Sequence, residues 1–335
     1  MINNKPINWS ILGFSRFILS IIVVFCHLSL YANESKILSI RNLSGFVAVV
    51  GFLFISGYSI AHSINQQPKG YFIRRFLRIV PLYWISFGFS IAVAVLCYGK
   101  TYNISGHSFQ KYDFADAIKN MFFLQGIFCE PWTLNVVVWT ISIEVFFYTL
   151  APWLKKLKPV VILGFIIFSA ASFILWRYIG SAQVWQLKYG LPMLLLAWSW
   201  LAGYWIYIKN TDCSAILLIC SIGFFALAFH NVYLPYLWPI TFLIPIIALA
   251  FSGNIYLSQT TTKLFDWMGD ISYPIYLFHI PIFSLLFVFS ESNKWYIYII
   301  CMIAITAIID ALLDKPLKKF LKNVFLSFAA AGNPK

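Results

Sequence analysis

The chain has 335 residues, of which 61% are hydrophobic and only 10% are charged, and its mean hydropathy is +0.81. Soluble domains carry about 25% charged residues, so this composition excludes an ordinary water-soluble protein. The net charge of +13 is spread over many loops instead of forming one compact patch. This distribution favours contact with anionic lipid headgroups, and we expect no nucleic-acid partner.

Ten apolar segments are long enough to cross a bilayer, because about 20 helical residues span a hydrocarbon core of about 30 Å. They lack the alternating pattern of barrel strands, so the sequence predicts an all-α integral membrane protein, a bundle of about ten transmembrane helices. An amphipathic segment, 114–128, is expected to lie at the interface. The predicted spans are 11–31, 43–63, 79–98, 133–153, 159–176, 187–208, 213–230, 236–252, 270–290 and 295–313.

Lysine and arginine alternate between a rich and a poor set of loops, and the positive-inside rule assigns the rich set to the cytoplasm. The poor, outer set holds Lys36, Arg41, Lys100, Lys111, Lys119, Arg177, Lys188 and Lys294. An even number of spans then leaves both termini, the short segment 1–10 and the basic tail 314–335, in the cytoplasm. We expect one membrane domain over 1–335, multi-pass in the inner (plasma) membrane. The first apolar segment is expected to be a membrane span and not a cleaved signal peptide, because it shows no convincing small-residue cleavage site.

The first span carries Arg16 and His27, which are 11 residues apart and therefore share one helix face, about 16 Å apart along the axis. Arg16 is expected near the cytoplasmic lip and His27 in the outer half of the bilayer. An ionisable group at the centre of a membrane helix costs roughly 2.5 to 3.5 kcal/mol on insertion, which indicates a function. The structural alternative is a snorkelling arginine with a hydrogen-bonded packing histidine.

A second polar stripe runs along the fourth span, where Thr140, Glu144 and Tyr148 recur at intervals of four. Glu144 is therefore expected to face the bundle interior near mid-depth. Its carboxylate could orient and stabilise an imidazole, with His27 as its partner, or could carry a proton itself. The structural alternative is a carboxylate that only neutralises an arginine.

The ninth span repeats this arrangement. Ser272, Tyr276 and His279 are spaced by four and three residues, and Pro274 and Pro281 are expected to kink the helix around them. The pattern predicts a third wall of the same interior site, and a purely structural role for His279 is the alternative.

Three arginines, Arg74, Arg75 and Arg78, stand at the inner end of the third span. Like charges so close repel one another, which an anion between them would relieve, and guanidinium groups bind phosphate oxygens bidentately. A cytoplasmic polyphosphate ligand is the functional interpretation, and positive-inside anchoring is the alternative. The chain has no Walker or dinucleotide glycine motif, so side chains would have to hold the phosphates.

The six cysteines are scattered and form no Cys-x-x-Cys pair. Most lie within predicted spans, where cysteine behaves as a small apolar residue. We therefore expect no metal site and no disulfide framework.

Five strings along nearly the whole chain resemble, in the same order, motifs of the acyltransferase-3 family of polytopic membrane acyltransferases. The strings are Gly13-Phe14-Ser15-Arg16 with Val23 to His27, Phe52 to Tyr58, Arg75 to Trp84, Trp139 to Glu144, and Gly269 to His279. Departures are Leu12, where many members have an acidic residue, Phe17, where glycine often follows the arginine, and Asp314-Lys315-Pro316, in place of a closing Glu-x-Pro. The chain resembles the short members that have no C-terminal esterase-like domain.

The resemblance implies an acyl-CoA donor, usually acetyl-CoA, no permanently bound cofactor, and a cell-surface carbohydrate or lipid-linked glycan as acceptor. It implies that His27 acts as general base with Glu144 stabilising the imidazolium, either in direct transfer or through a transient acyl-His27. The residues expected to bind the CoA phosphates are Arg16, Arg75 and Arg78. Those expected to contact substrate are Ser56, Tyr83, Tyr276 and His279.

Two other classes of function remain open from the sequence. A proton-coupled exporter of a glycan or lipid-linked sugar would use His27 and Glu144 as its relay. A non-catalytic subunit would retain the family bundle and tolerate substitution of His27.

Overall fold

The computed structural model describes residues 7–32, 40–97, 114–179, 183–229, 235–290 and 294–331. Helices dominate these ranges. A 3₁₀ turn, Thr133–Val138, leads into α5, and a π turn, Asp310–Asp314, joins α11 to α12. The helices are α1 Trp9–Leu28, α2 Gly45–Gln66, α3 Tyr71–Leu96, α4 Phe114–Met121, α5 Trp139–Leu154, α6 Pro159–Ile179, α7 Leu191–Ile208, α8 Cys213–Phe229, α9 Trp238–Phe251, α10 Gln259–Phe289, α11 Trp295–Ile309 and α12 Lys315–Ala331.

Within the described ranges, eight helices are long and apolar enough to cross a membrane, and α8 and α9 are shorter apolar helices. The prediction of an all-α, multi-pass membrane protein is therefore confirmed. Residues 1–6 and 332–335 of the predicted terminal segments lie outside the described residues, as do 98–113.

Two helices begin earlier than the hydropathy pattern predicts. Helix α3 starts at Tyr71 instead of residue 79, after Gly70 takes a left-handed conformation with φ of 68°. Helix α10 starts at Gln259 instead of residue 270, where the Ser258 side chain accepts a hydrogen bond from the Thr261 N–H and caps the helix. Both helices therefore extend beyond their most apolar part, and the arginine cluster lies within the first turns of α3.

The predicted interfacial segment, 114–128, forms only the short helix α4, followed by a turn. Side chains of α3 hold it in place. The Tyr83 hydroxyl donates to the Asn120 carbonyl at 2.6 Å, and the Trp84 Nε1 donates to the Met121 carbonyl at 3.1 Å.

Two helix crossings depend on glycine. A Cβ atom at Gly203 of α7 would lie 1.9 Å from the Phe54 carbonyl oxygen of α2, and one at Gly57 of α2 would lie 1.8 Å from the Trp200 carbonyl oxygen. Small residues allow such close backbone contact in membrane proteins, where no hydrophobic effect drives helices together. Helices α1 and α10 cross in the same manner, because a Cβ at Gly269 would lie 2.8 Å from the Gly13 Cα.

The backbone hydrogen bond that a proline removes from α10 is replaced by side chains of the core. Pro281 has no N–H, so the Leu277 carbonyl one turn earlier in α10 loses its helical donor. The Ser86 hydroxyl at 3.0 Å and the Asn135 side-chain amide at 2.9 Å donate to that carbonyl instead. Buried backbone groups in a bilayer have to be satisfied by protein, and this arrangement joins α3, the 3₁₀ turn and α10.

The segment Asp314-Lys315-Pro316 lies at the junction of the π turn and α12. Asp314 is buried, and its carboxylate accepts from Lys318 at 2.5 Å. Lys315 bridges Asp310 at 2.7 Å and Asp270 of α10 at 3.6 Å, which ties the start of α12 to the bundle.

We expect Gly203→Val to destabilise the protein strongly, because its side chain would overlap the α2 backbone and force α2 and α7 apart. Overpacking typically costs about 1 to 3 kcal/mol, and here the obstacle is rigid backbone. Gly164→Val in α6 is the matched control, since no atom lies within 4 Å of the added Cβ. Melting temperatures in detergent should fall markedly for Gly203→Val alone. Equal melting temperatures for the two variants would contradict the crossing.

Candidate active site

A cavity of about 70 Å³ opens among α1, α2, α3, α5 and α10 at the end of the bundle where α3 begins. We call it the arginine cavity. Its polar wall consists of Arg16, Arg75, Arg78, Glu144, Tyr148, Ser56, Ser59, Thr140, Ser272, Tyr273 and Tyr276. The family resemblance implies that three of these, Arg16, Arg75 and Arg78, act together, and the fold brings them to one cavity.

The guanidinium groups are incompletely paired within the described part of the chain. The Nε atoms of Arg16 and Arg75 are buried without a hydrogen-bond partner. Arg75 also donates to the Ser63 hydroxyl at 3.3 Å, and its Cζ lies 5.9 Å from the centroid of the Tyr71 ring. Buried donors without acceptors cost free energy, which a ligand oxygen would recover.

Arg74 does not belong to this group. Its side chain turns back to the loop before α3 and donates to the carbonyls of Lys69, at 2.6 Å, and Gln67. It therefore fixes the loop and does not line the arginine cavity.

Glu144 supplies negative charge to the same cavity. Its Oε2 accepts a hydrogen bond from the Tyr148 hydroxyl at 3.3 Å, and that hydroxyl is also 3.3 Å from the Ser56 hydroxyl. Arg16 and Arg78 are near enough to interact electrostatically with the carboxylate. Among the described residues of this wall, three arginines face one carboxylate, so the cavity is suited to an anion.

A histidine pair joins α1 to α10. The Nδ1 of His279 lies 3.1 Å from the Ile275 carbonyl and 2.9 Å from the Tyr276 carbonyl. Carbonyls only accept, so in the neutral ring Nδ1 carries the proton and Nε2 accepts. The His27 Nδ1, 3.1 Å from that Nε2, must then be the donor. This assignment leaves the lone pair of the His27 Nε2 available as a base.

His27 lies on the wall of a second cavity, which we call the histidine cavity. It has a volume of about 450 Å³ and lies at the opposite end of the bundle, where α1 and α6 end and α2 and α5 begin. Its wall includes His27, Cys26, Arg41, Phe46, Trp139, Arg177, Gln183, Trp185 and Tyr276.

Tyr276 and Val49 line both cavities. The Tyr276 hydroxyl is 2.8 Å from the Thr140 hydroxyl and 2.9 Å from the Val137 carbonyl, to which it donates. The Tyr276 side chain therefore separates the two cavities near the middle of the bundle.

Comparison with known proteins decides the family. The acyltransferase-3 family model, an acyltransferase domain, matches residues 11–314. The chain belongs to the acyltransferase-3 family. It is also 26% identical over 259 residues to a protein of Acidianus two-tailed virus named "Putative acetyltransferase ORF330", over 72% of this chain and 74% of the viral one. No solved structure matches the chain.

The structure of this acyltransferase corrects the predicted pairing of Glu144 with His27. The hydrogen-bond partner of His27 is His279, and that of Glu144 is Tyr148. The carboxylate and the imidazole line different cavities, which share Tyr276 and Val49 as wall residues.

Two other residues have roles that differ from the expected substrate contact. His279 is fully buried behind His27 and lines neither cavity. Tyr83 is 1% exposed, and its ring lies 4.4 Å from that of Phe123 while its hydroxyl holds Asn120. Tyr83 therefore packs α3 against the segment after α4. Ser56 and Tyr276, in contrast, do line the arginine cavity.

Sequence reasoning overlooked Arg41 and Arg177 as site residues, because it counted them only as loop charges. Their position on the side that is poor in positive charge was the available signal. It also overlooked the aromatic residues of the histidine cavity, Trp139 and Trp185, since tryptophan is common at membrane interfaces generally.

Labelling can test whether the two cavities open at opposite ends of the acyltransferase. In a chain without its native cysteines, we expect a membrane-impermeant maleimide to modify Arg78→Cys from one side of sealed vesicles and Arg41→Cys from the other. The arrangement is contradicted if both cysteines react from the same side. Tyr83→Cys, which lines neither cavity, is the unreactive control.

Proposed function

We propose that this acyltransferase moves an acetyl group from cytoplasmic acetyl-CoA to a hydroxyl of a cell-surface or lipid-linked carbohydrate. The observation that carries the proposal is the pair of cavities at opposite ends of α1, one rich in arginine and one holding a candidate base, with Tyr276 between them. The loops rich in lysine and arginine support a plasma-membrane orientation in which the arginine cavity faces the cytoplasm and both termini lie there.

Arg16, Arg75 and Arg78 would hold the phosphates of the CoA donor. The buried Nε atoms of Arg16 and Arg75 have no partner among the described residues, and phosphate oxygens accept bidentate hydrogen bonds from guanidinium groups. The pantetheine arm would then extend along α1 toward the bundle centre. Eleven helical residues separate Arg16 from His27 by about 16 Å along the axis, and the arm would have to span this distance.

His27 would act as general base through its Nε2. It removes the proton from the acceptor hydroxyl as that oxygen attacks the thioester carbonyl. The carbon–sulfur bond then breaks, and the departing CoA thiolate is protonated by the His27 imidazolium. The products are an O-acyl ester and CoA thiol, so atoms and charge balance. His279, held by two backbone carbonyls, accepts from the His27 Nδ1 and orients the ring.

Glu144 keeps a place in the proposed site with a changed role. It lies among the arginines and holds the Tyr148 hydroxyl, so it would limit repulsion within the arginine cavity before the donor enters. Ser56 and Tyr148 would contact the pantetheine arm, and Tyr276 would have to turn aside when the thioester reaches His27.

The family membership and the name of the viral relative support acetyl transfer. They favour an enzyme over the exporter, which would also leave the arginine cavity without a ligand. Exclusion of water from the reacting centre would protect the thioester from hydrolysis.

Donor binding can be separated from chemistry. We expect acetyl-CoA to raise the melting temperature of the purified protein in nanodiscs, and the Arg75→Ala, Arg78→Ala double variant to lose this stabilisation. Arg74→Ala is the matched control, because that side chain holds a loop and lines neither cavity. Stabilisation of the double variant to the same extent as the native protein would remove the arginines from donor binding.

The histidine pair predicts a graded effect on turnover, measured as release of CoA thiol with a membrane extract as the source of acceptor. His27→Ala should lose activity by about 10²-fold or more while acetyl-CoA still stabilises the protein, since general-base catalysis typically contributes that much. His279→Phe should lower kcat with little change in the KM for acetyl-CoA, and His279→Asn should recover part of it because an amide oxygen can accept from His27. Full activity of His27→Ala would support the non-catalytic alternative.

A further inference from the structure

The histidine cavity carries positive charge that acetyl transfer by itself does not need. Arg177, near the end of α6, and Arg41, just before α2, both line it. No aspartate or glutamate is among the described residues of its wall, and neither arginine is within 4.0 Å of a described carboxylate. Two cations that have no counter-charge among the described residues of a cavity wall are suited to an anionic ligand.

Arg177 is built into the wall. Its Nε is buried and has no hydrogen-bond partner among the described residues, and its Cζ lies 5.5 Å from the centroid of the Trp176 ring. The indole face attracts the cation at this distance, and the planar guanidinium group can bind an oxyanion bidentately. A buried N–H without an acceptor is a position at which a ligand oxygen would bind.

Arg41 lies beside the proposed base. It is close enough to Cys26, the neighbour of His27 on α1, to interact with it electrostatically, and its backbone carbonyl is 4.0 Å from the Cys26 sulfur. A negative group held by the arginines would therefore lie in the same cavity as the hydroxyl that His27 activates.

The remaining wall is suited to a sugar. Trp139, Trp185 and Phe46 present aromatic rings to the cavity, and the apolar C–H faces of sugar rings pack on such surfaces. Gln183 adds an amide for hydroxyl groups. A volume of about 450 Å³ leaves room for more than the acetyl group.

We infer that the acceptor is an anionic glycan, whose carboxylate or phosphate binds Arg177 and Arg41 while a nearby hydroxyl faces the His27 Nε2. This inference rests on the proposed function and specifies the substrate class of the same site. The shared chemistry is an oxyanion on a sugar, which a uronic acid or a prenyl-phosphate-linked sugar would both supply.

Pairs of glycan probes that differ in negative charge can test whether the oxyanion contributes to binding. Binding of a tetramer of galacturonic acid to the protein in nanodiscs would be compared with binding of its methyl ester, which keeps the hydroxyls and removes the charge. A short-chain prenyl phosphate sugar and the corresponding neutral prenyl glycoside form the second pair. Variants are Arg177→Gln, Arg177→Lys and, as control, Lys188→Gln, a basic residue outside the cavity that already pairs with Glu130 at 3.2 Å.

At least one charged probe should bind tenfold or more tightly than its neutral partner. Arg177→Gln should abolish that preference, Arg177→Lys should retain part of it, and Lys188→Gln should leave it unchanged. The pair that shows the preference identifies the source of the oxyanion. The inference is overturned if neither pair shows a preference, or if Arg177→Gln keeps it.

Acetyl-CoA stabilisation is measured in parallel on every variant. Its retention by Arg177→Gln shows that the variant is folded and that the donor site at the opposite end is intact. Loss of charge preference with intact donor binding therefore bears on the acceptor alone. Absence of acetyl-CoA binding in the native protein would instead count against the proposed function, whatever the glycan probes show.

Discussion

The close approach of α1 and α10 at Gly13 and Gly269 is the contact on which the candidate active site depends. Because neither residue has a side chain, the two backbones meet where a Cβ atom at Gly269 would lie 2.8 Å from the Gly13 Cα. Further along the same pair of helices, His27 of α1 and His279 of α10 then come within 3.1 Å of each other. In a bilayer, where lipid competes for every apolar surface, close backbone packing and interhelical hydrogen bonds of this kind replace the hydrophobic effect as the source of specificity.

The sequence predicts most of the membrane-crossing helices, because length and hydropathy are sufficient to recognise a span. It misplaces the starts of α3 and α10, because both helices continue past their apolar part into segments with charged and polar residues. A single capping residue such as Ser258 has little effect on a hydropathy average over many residues. The grouping of Arg75 with Arg78 is also predictable, because both are on one turn of α3. The charge pattern added Arg74, which instead binds the loop before α3, whereas Arg16 was added only by the family resemblance.

Partners that depend on the relative registration of two helices are not predictable in this way. His27 could be paired with Glu144 or with His279 from periodicity alone, and only the crossing of α1 with α10 decides between them. The same holds for Tyr83, whose motif position implied a substrate contact while its hydroxyl binds the Asn120 carbonyl. A motif indicates that a residue matters to the family fold, but the contacts decide whether it touches a substrate or supports a residue that does.

The separation made by Tyr276 has an electrical consequence. If water fills both cavities, nearly all of the membrane potential falls across the short partition between them, where it would act with about 2.3 kcal/mol per elementary charge per 100 mV. A neutral acetyl thioester crosses such a focused field without electrical work, whereas a phosphate would not. The hydrogen bonds from Tyr276 to Thr140 and Val137 hold its side chain at the boundary of the two cavities. In the proposed orientation, with one cavity open to each face of the membrane, a closed partition at Tyr276 would prevent ions and protons from crossing through the enzyme.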